Sequence, residues 1–322
     1  MSTEFASAVG AVRALEGMLL TQQDIVRMTA AENDSELRDI LASTGRNTTG
    51  SSDEILNALE AESGETWDFL SNYAPHDREL EILLYRNNFH NLKAALKALI
   101  MNTEPERLFI KPTSLNLAEL PSLVASKQFD MLPDYMTEAA AEAYGILTES
   151  LDGQLAEAVL DTAALRAMQE EAERLKSDFM TEYAQLVTVC CDIKTAYRCS
   201  IMKKSQSFLE TAVCGSPELD RTTLVREAMK GTDSFISWLG DTQWSDAADC
   251  LSRSPAAFEK WCDDAVMELA ESAKTKAFGI EPLAAYFIAK ETEIKNLRIL
   301  LVCRSCGASP ETITERMRRL YV

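Results

Sequence analysis

The chain has 322 residues, with 32 basic and 51 acidic side chains and a net charge of −19. That balance argues against a general nucleic-acid binder, which needs a cationic face to displace counterions, and against electrostatic adsorption to anionic lipid. Glycine, at 12 residues, falls below the average of about 7%. With alanine, leucine, glutamate and lysine abundant, the expected fold class is all-α.

From the N-terminus, residues 5–40 read as two helices broken near Thr21, and Leu37 to Leu41 runs toward Thr44. Residues 1–20 lack a basic segment followed by an apolar run and carry Glu4, Arg13 and Glu16, so no signal peptide is expected. Gly45 to Ser52 is a polar loop. Asp53 is expected to cap a helix carrying Ile55, Leu56 and Leu59, and Trp67, Phe69 and Leu70 begin a further apolar face. Pro75 and Asp77 open a long helix from Arg78 to about Met101, and Pro105 and Pro112 mark residues 102–117 as a connection.

Beyond Pro121 and Pro133 the expected helices are Thr137 to Leu151, Gln154 to Leu160, Ala163 to Tyr183 and one around Lys194. Cys214-Gly215-Ser216-Pro217 is a second connection. Asp220 or Thr222 starts a helix to Met229, and Thr232-Asp233 caps another to Leu239. Trp244, Leu251, Phe258, Trp261 and Leu269 are core candidates, and a helix over 259–277 leads to Gly279. Pro282 to Cys303 has no breaker inside it, with Pro282 in the first turn and Gly307 after the last periodic residue. Its two ends are apolar almost all round, so it is expected to be buried. Ser309 reads as an N-cap with Pro310 at the first helical position, and Arg316, Arg318 and Arg319 are expected in the last turns of that helix, where the dipole favours cations.

The middle of the 282–303 helix is charged: Lys290, Glu291, Glu293, Lys295 and Arg298. Glu291 and Lys295, one turn apart, can pair. A similar pattern occurs twice earlier. Asn91-Leu92-Lys93 is followed by Lys97, Asp192-Ile193-Lys194 by Arg198, and Glu293-Ile294-Lys295 by Arg298. The steps are 194 − 93 = 101 and 295 − 194 = 101 residues. Equal spacing of similar helices is the signature of an internal repeat, and it divides the chain into units 1–112, 113–214 and 215–322. The cationic pairs Lys93/Lys97, Lys194/Arg198 and Lys295/Arg298 either meet carboxylates of neighbouring helices or face a partner.

The run Gly279-Ile280-Glu281-Pro282-Leu283 to Tyr286, then Lys290-Glu291-Thr292-Glu293-Ile294-Lys295-Asn296-Leu297-Arg298-Ile299, Ser309-Pro310-Glu311 and the ending Arg316 to Val322 closely resembles the C subunit of the V/A-type ATPases, the counterpart of the V-ATPase d subunit. Phe89 to Lys93 and Cys191 to Thr195 resemble the first and second repeat helices of that family, with Asp192 where the family often has Asn. Val12 to Glu16 with Leu19-Leu20 resembles its N-terminal helix. The resemblance implies three helical units around a pseudo-threefold axis, forming a funnel with a central cavity. It implies a non-catalytic component of the central stalk, one copy per complex, that seats the D and F subunits of the shaft on the proteolipid rotor ring (c, or K/L) during ATP-linked transport of H⁺ or Na⁺. The location implied is cytoplasmic, peripheral on the membrane. A general helical adaptor unrelated to ion transport is the competing class.

Other chemistry has little support. Cys303-Arg304-Ser305-Cys306 has no second Cys pair for zinc and falls at a helix C-terminus, where the dipole opposes a thiolate. The eight cysteines are expected to be reduced thiols used for packing, Cys190-Cys191 included. His76 and His90 have no ligands at metal spacing, and neither nucleotide-binding glycine motif occurs. No cofactor, metal or catalytic residue is expected. No run approaches the roughly 18 apolar residues of a spanning helix.

Overall fold

The computed structural model describes residues 5–46, 49–73 and 79–322, apart from the side chains of Ser52 and Asp53. Pro75, His76, Asp77 and Arg78 lie outside the described residues, as does the cap expected of the Asp53 side chain. Every regular element described is helical, and the one β feature is an isolated bridge between Ser216 and Leu219. The α-helices are α1 (Ala6–Glu16), α2 (Gln22–Ala30), α3 (Asp34–Ser43), α4 (Ser52–Tyr73), α5 (Tyr85–Met101), α6 (Leu120–Ala125), α7 (Asp134–Glu149), α8 (Gly153–Leu175), α9 (Asp178–Met202), α10 (Gln206–Ala212), α11 (Arg221–Ala228), α12 (Thr232–Gly240), α13 (Ser245–Arg253), α14 (Pro255–Ser272), α15 (Glu281–Ser305) and α16 (Pro310–Arg316).

By contact the chain forms two compact units, Met1–Leu80 with Arg253–Val322, and Glu81–Ser252. In the first, α15 packs against α14, α4, α1 and α16. Its N-terminal half, Leu283 to Ala289, is buried at every position, as a helix apolar all round must be. The core continues through Leu297, Leu300 and Leu301 to Ile25, Met28, Leu37 and Leu59. Trp67 of α4 meets Phe287 edge-on at 5.4 Å. In the second unit, α8 packs against α7, α5, α9 and α10. Small residues on the facing helices, Ala140, Ala143, Ala164 and Ala196, are buried there beside Phe89, Leu92, Met168 and Ile193.

Local chemistry fixes most boundaries. Thr21 forms a capping box with Asp24 at the start of α2. Ser309 caps α16 ahead of Pro310, as expected. Several expected boundaries move. Residues 5–40 hold three helices, because the Asn33 side chain accepts from the Glu36 N–H and starts α3. The helix expected over 163–183 breaks at Lys176, which takes a left-handed φ of 52°, and Ser177 caps α9. A lysine gives no warning of a left-handed C-terminus, so α8 runs on from Gly153 and the last residues of the expected helix belong to α9. The long helix expected from Arg78 is α-helical only from Tyr85, after a 3₁₀ turn over Glu81–Leu84.

The C-terminus departs most. α16 stops at Arg316, and Met317 is already extended. Arg318 and Arg319 therefore do not complement that helix dipole. The Arg318 Nε sits 2.8 Å from Asp263, and Arg319 reaches Glu271 at 2.5 Å while its N–H donates to Asp264 at 2.6 Å. Carboxylates of α14 hold this extended terminal segment, which lies beyond the end of α16.

Candidate functional site: three buried anchors and their charged neighbours

Three long helices carry the same kind of device. On α5, Asn91 is fully buried, donates from Nδ2 to the Ile110 carbonyl at 3.0 Å and accepts the Ile110 N–H at 2.8 Å. On α15, Asn296 donates to the Arg318 carbonyl at 3.0 Å and accepts the Arg318 N–H at 2.8 Å. One side-chain amide thus satisfies the donor and the acceptor of a single residue in the segment that returns along the helix. On α9 the counterpart is Asp192, which accepts from the Cys214 N–H at 2.9 Å and the Gly215 N–H at 2.6 Å.

The local backbone explains the carboxylate. Gly215 has φ 81°, and a Cβ there would lie 2.7 Å from Cβ of Arg221. The left-handed turn brings two successive N–H groups to one point, and an acceptor-only side chain meets both. Burial pushes the Asp192 carboxyl up to about 6, against the opposing pull of those two N–H bonds.

This device resets the register. Asn296-Leu297-Arg298 stands where Asn91-Leu92-Lys93 and Asp192-Ile193-Lys194 stand, and the central residues Leu92, Ile193 and Leu297 are all fully buried. The steps between the anchors are 192 − 91 = 101 and 296 − 192 = 104 residues, so the third anchor lies about one helical turn beyond Glu293. Sequence reasoning passed over Asn296 as an anchor, although the Asn-Leu-cation triplet around it was there to be matched.

Glu293 has a different task. It is 1% exposed, its Oε2 meets Arg46 at 2.9 Å and Lys290 at 3.1 Å, and its Oε1 accepts the Leu20 N–H. Glu62 of α4 completes the set, bonded to Arg46 through both oxygens at 3.1 and 3.2 Å and to Lys290 at 2.6 Å. Two cations and two carboxylates cancel, so the buried charges stay compensated. They bind the α1–α2 turn, the loop before α4 and α15 into one body. The Arg46 and Glu62 contributions, from a loop and a distant helix, carried no pattern in the sequence.

The remaining site candidates divide. Lys93 meets Asp161 at 2.5 Å and Lys97 meets Glu157, both joining α5 to α8. Lys295 meets Asp263 of α14 at 2.7 Å rather than Glu291. Glu291 accepts the Ser63 hydroxyl, and burial raises its carboxyl above the usual range. Lys194 is half-buried, and Arg198 and Arg298 are exposed.

No cluster among the described residues suits a metal ion. The His90 Nε2 lies 3.0 Å from the Leu108 carbonyl. All eight cysteines are unbridged, Cys303 buried and Cys306 exposed. Most of the polar side chains gathered on the long helices bind helix to helix or helix to returning chain. That is the make-up of an all-helical protein whose long helices are pinned by buried polar groups. The family model for the ATP synthase (C/AC39) subunit matches residues 8–316, and the chain belongs to that family. The C subunit of the V-type sodium ATPase of Enterococcus hirae is 26% identical to it over 317 residues, covering 96% of this chain and 97% of that one. The C subunit of the A-type ATP synthase of Methanobrevibacter smithii is 23% identical over 317 residues, covering 90% and 81%.

Proposed function

We propose that this chain is the central-stalk component that couples the D and F subunits of the shaft to the membrane proteolipid ring of a rotary V/A-type ATPase. The single observation that carries this reading is the family match across residues 8–316, backed by two relatives aligned over most of their length. On this reading ATP chemistry resides on other subunits. This chain transmits torque, and the ring moves Na⁺ or H⁺, working from the cytoplasmic face with one copy per complex. No described helix is long and apolar enough to cross a membrane, so the ring is reached by contact.

The anchors at Asn91, Asp192 and Asn296 support a division into three helical units, 1–112, 113–214 and 215–322, arranged about a pseudo-threefold axis as a funnel. Transmission needs a body that does not yield, and close-packed interiors carry strain. Pinning each long helix to its returning segment serves that need. Exposed apolar side chains gather at the C-terminal turns of α5 and α9: Leu99, Ile100 and Met101 on one, Ile201 and Met202 on the other. We assign these ends to partner contact.

The test is reconstitution. Purified chain mixed with the D and F shaft proteins and detergent-solubilised ring is expected to co-elute with both at micromolar concentration and to hydrolyse no ATP alone. Failure to co-elute with either overturns the reading. Recovery from native membranes with unrelated proteins would favour the general adaptor.

A further inference from the structure

We propose that a small cleft at the C-terminal end of α15 binds a short aliphatic carboxylate, free or borne on a glutamate-type side chain. The cleft lies within the first compact unit, between α3 and the last turns of α15, and stands independently of the role proposed above. Leu37, Leu41 and Leu301 give it buried apolar walls, and Arg38, Arg304 and Asp34 give it polar ones.

Arg304 is the principal cation of the cleft. Its Nη1 donates to the Ala31 carbonyl at 2.7 Å, which fixes the plane of the guanidinium. Its Nε is buried and has no hydrogen-bond partner among the described residues. Its Nη2 is 3.7 Å from the Asp34 carboxylate, too far for a hydrogen bond. A guanidinium presents five N–H groups in a rigid fork matched to a carboxylate. Here one edge is anchored through Nη1, and Nη2 is left short of an acceptor, with Asp34 standing only at long range. Arg38 adds a second cation to the wall, its own Nη1 held by the Gly50 carbonyl.

Size and lining select the ligand. The cleft encloses about 60 Å³, room for a carboxylate on a short stem and far below the roughly 300 Å³ at which pockets for whole cofactors begin. The leucine walls suit methylenes and offer nothing to the outer oxygens of a phosphate. Asp34, whose side chain is 79% exposed, is the resident competitor: it reaches Arg304 only at long range, and an incoming carboxylate would take its place.

The experiment follows the arginine Nε–H resonances of the full-length protein by NMR at constant ionic strength. The probes are butyrate, a capped glutamate and inorganic phosphate. The Arg304 signal is expected to shift and saturate at millimolar butyrate or capped glutamate, with phosphate weaker. The stronger of the two carboxylates identifies a free acid or a polypeptide side chain as the source. R304K, which keeps the charge and loses the fork, should weaken binding about tenfold. D34N, an exposed change, should tighten it. No saturable shift, a preference for phosphate, or D34N binding more weakly than the parent would overturn the proposal.

Discussion

Asn296 holds Arg318 by both faces of one amide, 3.0 Å to its carbonyl and 2.8 Å from its N–H, 22 residues along the chain. Both residues are buried, so neither backbone group has water to fall back on. Replacing Asn296 by Ala orphans a donor and an acceptor together, and the expected loss is about 2–5 kcal/mol. Amide hydrogen exchange locates it: the Arg318 N–H should lose protection before the core of α15 does. Unchanged protection at Arg318 would mean that the α14 carboxylates alone fix the extended terminal segment.

Asp192 does the same work with a charge, and that gives it a pH signature. Its carboxyl is raised from 3.8 to about 6 in the folded chain, chiefly by burial. The folded state therefore holds the proton more tightly than the unfolded state between those values, and stability falls as pH rises through them. The contribution is fully present below about pH 3.8 and gone above about pH 6, a span of roughly 3 kcal/mol. Asp192→Asn removes the titration. Urea unfolding of parent and variant from pH 4 to 7 should show the parent losing stability relative to the variant as pH rises. A difference that does not vary with pH would show that the two N–H bonds fully offset the burial.

These two anchors mark where the sequence could be read and where it could not. Polar-apolar-cation triplets singled out stretches of α5, α9 and α15, and Ser309 announced the start of α16, because both signals are local. The third triplet was set at Glu293 rather than Asn296 because composition alone does not distinguish a polar residue that pins a returning segment from one that neutralises two cations. That distinction depends on what lies across the core: Arg318 for one, Arg46 and Lys290 for the other. The extended course of Arg318 and Arg319 escaped for the same reason, being set by acids on α14. The break at Lys176 differs, because Ser177 marks it locally as an N-cap inside a run of good helix formers.

Charge alone would rank Lys295 and Glu293 alike, and their surroundings separate them. The Lys295 side chain is 48% exposed beside Asp263, so Lys295→Ala is expected to cost about 1 kcal/mol or less. Glu293 is 1% exposed among Arg46, Lys290 and the Leu20 N–H. Glu293→Ala leaves excess buried cation and an unmet N–H, and about 3–5 kcal/mol should go. Paired denaturant titrations check the ranking. Equal losses would place Lys295 in a tighter environment than its exposure allows.

The proposed partner contact at the ends of α5 and α9 makes the converse demand, a change in binding without a change in fold. Met101 is 70% exposed and Ile201 53%, so each adds little to its own core. Exposed substitutions of this kind usually stay within about 0.5 kcal/mol. A negative charge placed in an apolar interface must be desolvated, and a loss of at least about tenfold in affinity follows if these turns meet a partner. Met101→Glu combined with Ile201→Glu is therefore expected to melt with the parent chain yet fail to co-elute with the D and F shaft proteins or with the ring. If the double variant melts normally and still assembles with both, these helix ends are ordinary exposed surface and the contact lies on another face.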